Sequence, residues 1–257
     1  MDARMRARRI AVHQAEARRR RRWAASGTAV VLLAVAAVAT ARSPLFAVAE
    51  IRITGVSGER AVELRDFIPV ARGENLLQID LAQAERQVAQ LPWVKAVEVV
   101  RVPPSIVDVR VQVRQPAASV RLADSIWTVD AEGVVLAPGA VRGLVMIDAP
   151  GSVLPGVGTR ASDAAVRNAL AVHAALPPAI RKAIDRYDAP SERGLRLHLA
   201  GEGGYPKVWV RFGSVDHSEQ KAQVLEALIQ EVRRAAVPVA EIDVRAPDNP
   251  VLVPAAE

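Results

Sequence analysis

The sequence predicts an α+β protein with one transmembrane helix near its N-terminus, then a β-α-α-β-β unit, then a mixed β region with flanking helices. Three observations predict this order. An uncharged apolar run follows an arginine-rich tail. Residues 44–115 switch between helical and strand periodicity, and short strands separated by turn signals fill most of residues 116–246.

The positive charge of the chain is concentrated in residues 1–23. That segment holds nine arginines against two acidic residues, whereas the whole chain of 257 residues has a net charge of +6. The remainder is therefore close to neutral. Nucleic acid is not a predicted partner, because its binding requires clustered positive charge on a folded face. The absence of cysteine excludes disulfides, cysteine nucleophiles and thiolate metal sites.

The apolar run from Ala24 to Ala41 predicts a transmembrane helix over residues 24–42. Its eighteen uncharged residues would span about 27 Å as a helix, close to the roughly 30 Å hydrocarbon core of a bilayer. A tryptophan at the entry suits an interfacial anchor. The predicted membrane-anchor residues are Trp23, Val30, Leu32 and Leu33.

The arginines that precede the run predict its orientation. By the positive-inside rule, residues 1–23 are a cytoplasmic basic tail and residues 44–257 lie outside the cell membrane. Two alternatives stay open. Ala39-Thr40-Ala41 matches a cleavage site, so the run would be a removed signal peptide, and a buried soluble helix is the less favoured alternative. The basic region is long for a signal peptide, which favours an uncleaved anchor.

Residues 44–115 predict strand, helix, helix, strand, strand. Proline at Ser43-Pro44 ends the membrane helix, Asp80 is the predicted N-cap of the second helix, and Pro92 closes that helix. Valines that alternate with polar residues predict a last strand with one buried face. The predicted elements are Phe46–Ile53, Glu59–Phe67, a helix from Leu81, Val94–Val100 and Ile106–Arg114.

Residues 116–246 predict a mixed β domain with flanking helices. The segments Asp130–Gly133 and Gly201–Gly204 are predicted hairpin turns, and Ser162 and Ser218 are predicted helix N-caps. Residues 247–257 are predicted to be a C-terminal tail. The predicted elements are Ile126–Val129, Val134–Leu136, Leu144–Ile147, Asp163–Leu176, Leu195–Leu199, Val208–Phe212, a long helix after Ser218 and a final strand, Ala240–Arg245.

Several short motifs of these regions occur together in one known family. The first region contains Asn75-Leu76-Leu77-Gln78-Ile79-Asp80, Leu91-Pro92-Trp93-Val94, Arg101-Val102-Pro103-Pro104 and Gln115-Pro116-Ala117. The second contains Val129-Asp130-Ala131-Glu132-Gly133-Val134, Leu154-Pro155-Gly156, Phe212-Gly213 and Ile242-Asp243-Val244-Arg245. In this order and spacing they resemble the POTRA domain and the β domain of the FtsQ/DivIB family of bacterial cell-division proteins. The resemblance covers nearly the whole chain.

The resemblance implies a non-enzymatic scaffold of the divisome, the septal assembly that builds the division wall, with no cofactor. It implies small bitopic coiled-coil partners of the FtsB/DivIC and FtsL type, which add a strand beside the last β-strand. It also implies contacts with other divisome membrane proteins and localisation at the division septum. The chain departs from the family pattern at Arg114-Gln115, where an acidic residue is frequent, and at Ala246-Pro247, where an aromatic residue can assist partner binding.

The predicted final strand is therefore the candidate partner-binding edge. Main-chain hydrogen bonds at an exposed edge would give affinity, and alternate side chains would give specificity. Pro247 and Pro250 would limit the length of such pairing, because neither has a backbone N–H. The candidate partner-binding residues are Ala240, Glu241, Ile242, Asp243, Val244 and Arg245.

Two other functions would leave different patterns in the sequence. A POTRA-type adaptor in envelope protein secretion or assembly would show several POTRA repeats or a C-terminal barrel, and the sequence shows neither pattern. A membrane-anchored envelope enzyme would need a nucleophile with its base, paired carboxylates or a metal set. The four histidines are scattered, and Ser214, Asp216 and His217 fit a turn before a helix cap. No catalytic, cofactor-binding or metal-binding residue is predicted.

Overall fold

A computed structural model of the chain describes residues 23, 26–201, 204–235 and 238–255. The predicted cytoplasmic tail, apart from Trp23, lies outside the described residues. The chain divides into two compact units. The first unit runs to Val88 and includes Val97–Val111, and the second unit comprises Ala89–Ala96 and Gln112–Glu257.

Residues 26–41 form helix α1, whose large apolar side chains are exposed. The predicted anchor residues Val30, Leu32 and Leu33 are 65%, 64% and 70% exposed, and Trp23 is 70% exposed. Within the part of the chain that the structure describes, no helix combines the length and the apolar character that crossing a membrane requires. Residues 24 and 25 of the predicted span lie outside that part. The transmembrane helix therefore stays a prediction.

The first region has the predicted β-α-α-β-β order. A short 3-10 helix, Pro44–Phe46, replaces the start of the predicted first strand. Asp80 Oδ1 accepts a hydrogen bond from Gln83 N at 3.0 Å, as its predicted N-cap role requires. The elements are β1 (Glu50–Thr54), α2 (Glu59–Phe67), α3 (Leu81–Val88), β2 (Val94–Val102) and β3 (Ile106–Val113).

Strand β3 is the central strand of a three-stranded sheet with the order β1-β3-β2. Its alternating valines explain this position, because Val107 and Val109 are fully buried. β1 pairs with β3 in parallel, with Ile51 opposite Val107. Gly55 follows β1 with a φ of +89°, and a Cβ there would lie 1.9 Å from the Val111 carbonyl oxygen. Only glycine fits this close approach of two backbones.

The second unit is built on a nine-stranded mixed sheet with the order β12-β11-β10-β9-β8-β7-β4-β5-β6. Both predicted hairpins are confirmed, since β5 pairs with β6 and β9 pairs with β10 in antiparallel fashion. The strands are β4 (Pro116–Leu122), β5 (Ser125–Asp130), β6 (Val135–Pro138), β7 (Val145–Asp148), β8 (Ile184–Asp188), β9 (Arg196–Ala200), β10 (Lys207–Arg211), β11 (Val239–Asp243) and β12 (Val251–Pro254).

Three helices pack against one face of this sheet: α4 (Ala164–Ala175), α5 (Pro178–Ala183) and α6 (Ser218–Ala235). The apolar positions of α6 recur at helical spacing, so a single stripe is buried. These helices and the sheet share one core, and its largest fully buried side chains are Tyr187, Phe212, Ile147, Ile180, Leu195, Leu197, Leu199, Leu225 and Ile242. The predicted α+β class, with a POTRA-like unit and a mixed β domain, is confirmed in its architecture.

The structure corrects several details of the prediction. The N-cap of α4 is Asp163 rather than Ser162, because Asp163 Oδ1 accepts from Ala165 N and Val166 N. Pro177-Pro178 does not end all helical structure, since a proline is well suited to the first turn of α5. The predicted C-terminal tail contains a strand. The elements that the prediction missed are β4, α5, β8 and β12.

Candidate functional site

The predicted partner-binding edge, Ala240–Arg245, is neither the last strand nor an edge. β11 ends at Asp243 and is paired on both sides, in parallel with β10 and antiparallel with β12. Val244 N donates to Arg211 O at 3.0 Å, which continues the contact with β10 beyond the strand. The prediction of an exposed edge is therefore wrong, because the chain itself turns back after Asp243 and covers β11.

The outermost strand on this side of the sheet is β12. In the described part of the chain it pairs only with β11, so its other side is free. Val251 and Val253 are 49% and 40% exposed, whereas Leu252 between them packs partly against the core. The strand thus presents two valines on one face and a leucine anchor on the other. Free backbone groups beside apolar side chains are the features that strand addition uses.

Only one residue within β12 has an N–H that points outward. Ala255 N donates to Pro238 O at 3.1 Å, toward β11. Backbone N–H directions alternate along an antiparallel strand. The N–H groups of Val251 and Val253 therefore point toward β11, whereas the backbone positions of Leu252 and Pro254 face away from it. Proline has no N–H, which leaves Leu252 as the single outward donor in the strand. Pro250, immediately before β12, lacks a donor as well.

Two acidic side chains of β11 lie on the same face as the β12 valines. Glu241 is opposite Val253 and Asp243 is opposite Val251 in the register of the two strands. Each acid has an arginine partner: Arg211 Nη2 lies 2.7 Å from Glu241 Oε2, and Arg245 Nη2 lies 2.6 Å from Asp243 Oδ2. Charge near this edge is therefore paired within the chain.

The Asp243 carboxylate is held in its charged form. Burial acts to raise its pKa, but hydrogen bonds from the Arg245 side chain and backbone outweigh burial, so the pKa lies below its ordinary value. Its contribution to stability is present at neutral pH and is lost only as the pH falls through that lowered pKa. The Asp243–Arg245 ion pair consequently persists across the physiological range.

Two helix residues fix the loop that follows β10 and supports this end of the sheet. Asn168 Nδ2 donates to Gly213 O at 2.9 Å, and Asn168 Oδ1 accepts from Val215 N at 2.8 Å. Lys221 Nζ donates to Ser214 O at 2.9 Å. Gly213 has a φ of +74°, and a Cβ there would lie 3.2 Å from Arg245 Cγ. The loop therefore packs closely against Arg245, the arginine that pairs with the last acid of β11.

Lys221 is a buried cation in this arrangement, with 3% of its surface exposed. Its Nζ lies 5.3 Å from the centre of the Phe212 ring, within range of a cation–π interaction. Burial lowers the pKa of Lys221, although the nearby Asp216 carboxylate acts to raise it. Neither Asn168 nor Leu252 is among the site residues predicted from the sequence. Asn168 gave no local signal, but Leu252 lies in a short apolar run bounded by two prolines.

The described residues include no cluster suited to a metal ion. No group of three or more histidine, cysteine, aspartate or glutamate side chains is placed to hold a metal ion in that part of the chain. Ser214 Oγ donates to Asp216 at 2.7 Å, and α6 begins at Ser218. Ser214 and Asp216 thus belong to the turn before α6.

Comparison with known proteins identifies the same family over both regions. Residues 46–114 match the family model of the POTRA domain, FtsQ-type. The chain is 31% identical over 209 residues to the cell division protein FtsQ of Streptomyces bingchenggensis, which covers 80% of this chain and 75% of that protein. It is 30% identical over 211 residues to FtsQ of Mycolicibacterium smegmatis, which covers 82% and 58%.

A shorter match links the chain to FtsQ of Corynebacterium glutamicum, with 34% identity over 107 residues, 42% of this chain and 48% of that protein. The chain thus spans between about half and three quarters of the length of these relatives. The resemblance noted in the sequence motifs is confirmed. On the family model and the long matches together, the chain belongs to the FtsQ family of non-enzymatic cell division proteins with a POTRA domain.

Proposed function

We propose that the chain is a single-pass membrane scaffold of the bacterial divisome, which links early and late septal proteins through extracytoplasmic contacts. Residues 24–42 anchor it in the cell membrane, with residues 1–23 in the cytoplasm and the two units outside. The family membership supports the role in division. The exposed apolar side chains of α1 support the anchor, because an isolated helix with this surface needs an apolar environment.

The partner-binding surface of this scaffold is the outer side of β12 rather than β11. A segment from a small bitopic coiled-coil protein of the FtsB/DivIC or FtsL type adds as a strand beside Val251–Pro254. The Leu252 N–H and the outward carbonyl groups supply the main-chain hydrogen bonds, and Val251 and Val253 supply apolar contacts. The free outer side of β12 is the observation that carries this proposal. The segment Ala240–Arg245 contributes indirectly, because it includes most of β11, the strand with which β12 pairs.

One pair of variants tests the edge. Leu252→Pro removes the outward N–H without removing a hydrogen bond to β11, whereas Leu252→Ala trims the side chain and keeps the N–H. We expect Leu252→Pro to abolish capture of the coiled-coil partner by the full chain in detergent, and Leu252→Ala to retain it. Hydrogen exchange of the β11 amides checks that the sheet is intact in both. Equal capture by the two variants would move the binding site away from this edge.

The cellular role is tested separately. A fluorescent protein on the N-terminal tail is followed by time-lapse microscopy while the native protein is depleted. We expect a mid-cell band, filamentous cells on depletion, and rescue by the wild-type chain but not by Leu252→Pro. A uniform membrane signal together with normal division would contradict the divisome role. Diffuse signal in the cell interior would contradict the membrane anchor.

A further inference from the structure

We propose that the first unit rests on the bilayer surface through Leu45 and Leu77, two leucines that flank the point where α1 ends. This contact lies outside the partner-binding edge and extends the role of the anchor. It rests on the membrane anchoring proposed above, because a helix that is not in the membrane brings no bilayer to this surface. The occupant of the surface is the interfacial layer of the bilayer itself.

The end of α1 is fastened to the folded part of the first unit by Asn75. Its Nδ2 donates to the Ala41 carbonyl oxygen at 2.7 Å, on the last helical residue of α1. Its Oδ1 accepts from Leu77 N at 2.9 Å. One side chain therefore joins the helix terminus to the segment that carries Leu77. Free carbonyl groups at a helix C-terminus require such partners.

Backbone hydrogen bonds strengthen this connection. Leu76 N donates to Phe46 O at 2.7 Å, Val48 N donates to Glu74 O at 2.8 Å, and Gly73 N donates to Val48 O at 2.9 Å. The chain that leaves α1 is thus paired with the segment 73–76. Leu76 itself is fully buried. Leu45 and Leu77 consequently flank a fixed junction and not a free linker.

Exposure distinguishes these two leucines from their neighbours. Leu45 is 59% exposed and Leu77 is 45% exposed, whereas Val48 and Leu76 are 2% and 0% exposed. After the end of α1, the described part of the first unit has three exposed large apolar side chains: Leu45, Val62 and Leu77. Two of the three therefore flank the helix exit. Scattered apolar side chains on a surface need no explanation, but a pair beside an apolar helix does.

Chain length keeps both leucines near the membrane boundary. Leu45 follows Ala41 by four residues and lies no more than about 14 Å from it, and Leu77 follows Asn75 by two, which allows about 7 Å. The headgroup layer on each side of the hydrocarbon core is roughly 5–8 Å thick. These distances are upper limits, and the 3-10 helix Pro44–Phe46 shortens the path from Ala41 to Leu45, so both side chains can reach the layer. The exposed Arg42, next to the helix end, adds a positive charge that anionic lipid attracts.

The absence of cysteine makes a direct test practical. Single-cysteine variants Leu45→Cys and Leu77→Cys of the full chain are labelled with an environment-sensitive fluorophore. The labelled chains are reconstituted in vesicles of phosphatidylethanolamine and phosphatidylglycerol that contain a nitroxide lipid, with the nitroxide at the headgroup or deep in the acyl chain. Val62→Cys is the matched control because it is equally exposed and apolar in the same unit, and Val30→Cys reports on the helix.

We expect the headgroup nitroxide to quench the labels at positions 45 and 77 more than the label at 62, and the deep nitroxide to quench the label at 30. Equal quenching at 45, 62 and 77, or none at 45 and 77, would overturn the surface contact while leaving the anchor intact. A blue shift at 45 or 77 that grows with protein concentration, without quenching, would assign the leucines to a second copy instead. No quenching at 30 would remove the anchor, and the inference with it.

Discussion

The two faces of the nine-stranded sheet are stabilised in different ways. The face under α4 to α6 is filled by side chains such as Tyr187, Leu197 and Phe212, all fully buried. On the opposite face, neighbouring strands are joined by ion pairs, among them Arg196 with Asp188 and Arg121 with Asp148. One face excludes water and depends on shape, whereas the other carries partly exposed ion pairs between strands. The comparison teaches that the same strands supply stability on one side and an adjustable polar surface on the other.

The largest expected effect is on the helix-covered face. Phe212→Ala should lower the free energy of unfolding by about 3–5 kcal/mol, since it opens a cavity in a close-packed core. Phe212→Leu retains most of the volume and should cost about 1.5 kcal/mol or less. Urea unfolding of the detergent-solubilised chain, with hydrogen exchange of the β9 and β10 amides as a local probe, measures both. Equal losses in the two variants would mean that shape does not govern this face.

A buried charge on the covered side gives an intermediate effect with its own pH dependence. Lys221→Met leaves the Ser214 carbonyl without its donor and should cost about 1–3 kcal/mol at neutral pH. Burial lowers the Lys221 pKa in the folded chain below the ordinary value of 10.5. Between these two pKa values only the unfolded chain binds the proton, so stability should rise with pH in the wild type.

The measurement for Lys221 is the difference in unfolding free energy between wild type and Lys221→Met, taken at several pH values up to 10.5. Taking this difference removes the contributions of the titrating groups that the two proteins share. We expect the difference to change in favour of the wild type as the pH increases. A difference that is constant with pH would show that the Lys221 pKa is the same in the folded and unfolded chains.

The smallest effect is expected on the charged face. Arg196 pairs with Asp188 and lies 5.2 Å from the centre of the Trp209 ring, yet its side chain remains 45% exposed. Arg196→Ala should therefore change stability by less than about 1 kcal/mol, because solvent screens exposed pairs. The loss should shrink further in high salt. Thermal unfolding at low and high salt tests this prediction. Phe212→Ala is the reference, because its loss of stability should not decrease with salt.

Elements with clear periodicity were predictable from the sequence, and elements without it were not. The hairpin of β9 and β10 follows from Leu195, Leu197 and Leu199 alternating with polar residues. β8 shows no apolar alternation, because its two buried residues, Ile184 and Tyr187, are three positions apart and the other three residues are charged. A strand buried at one or two positions gives too short a pattern to distinguish it from a loop.

The predicted partner-binding edge lies one strand away from the free edge of the sheet. The apolar run at β11 was recognised, but Val251–Pro254 is short and bounded by prolines, which is also the pattern of a tail. Asn75 and Asn168 could not be assigned because their partners, Ala41 and Gly213, are 34 and 45 residues away in sequence. Side-chain contacts over such separations depend on the folded arrangement and leave no local pattern.

The prolines around β12 affect whether identical chains can associate edge to edge when they are crowded together. Many copies of a septal protein meet at high local concentration, and a long free strand edge would let identical chains join edge to edge into growing fibres. An edge with a single outward N–H offers too few hydrogen bonds for two copies to hold each other. Under the function proposed above, a partner that adds side-chain contacts of its own would still bind there. If the proposed site is right, the same short strand would limit self-assembly and still leave an edge for a complementary protein.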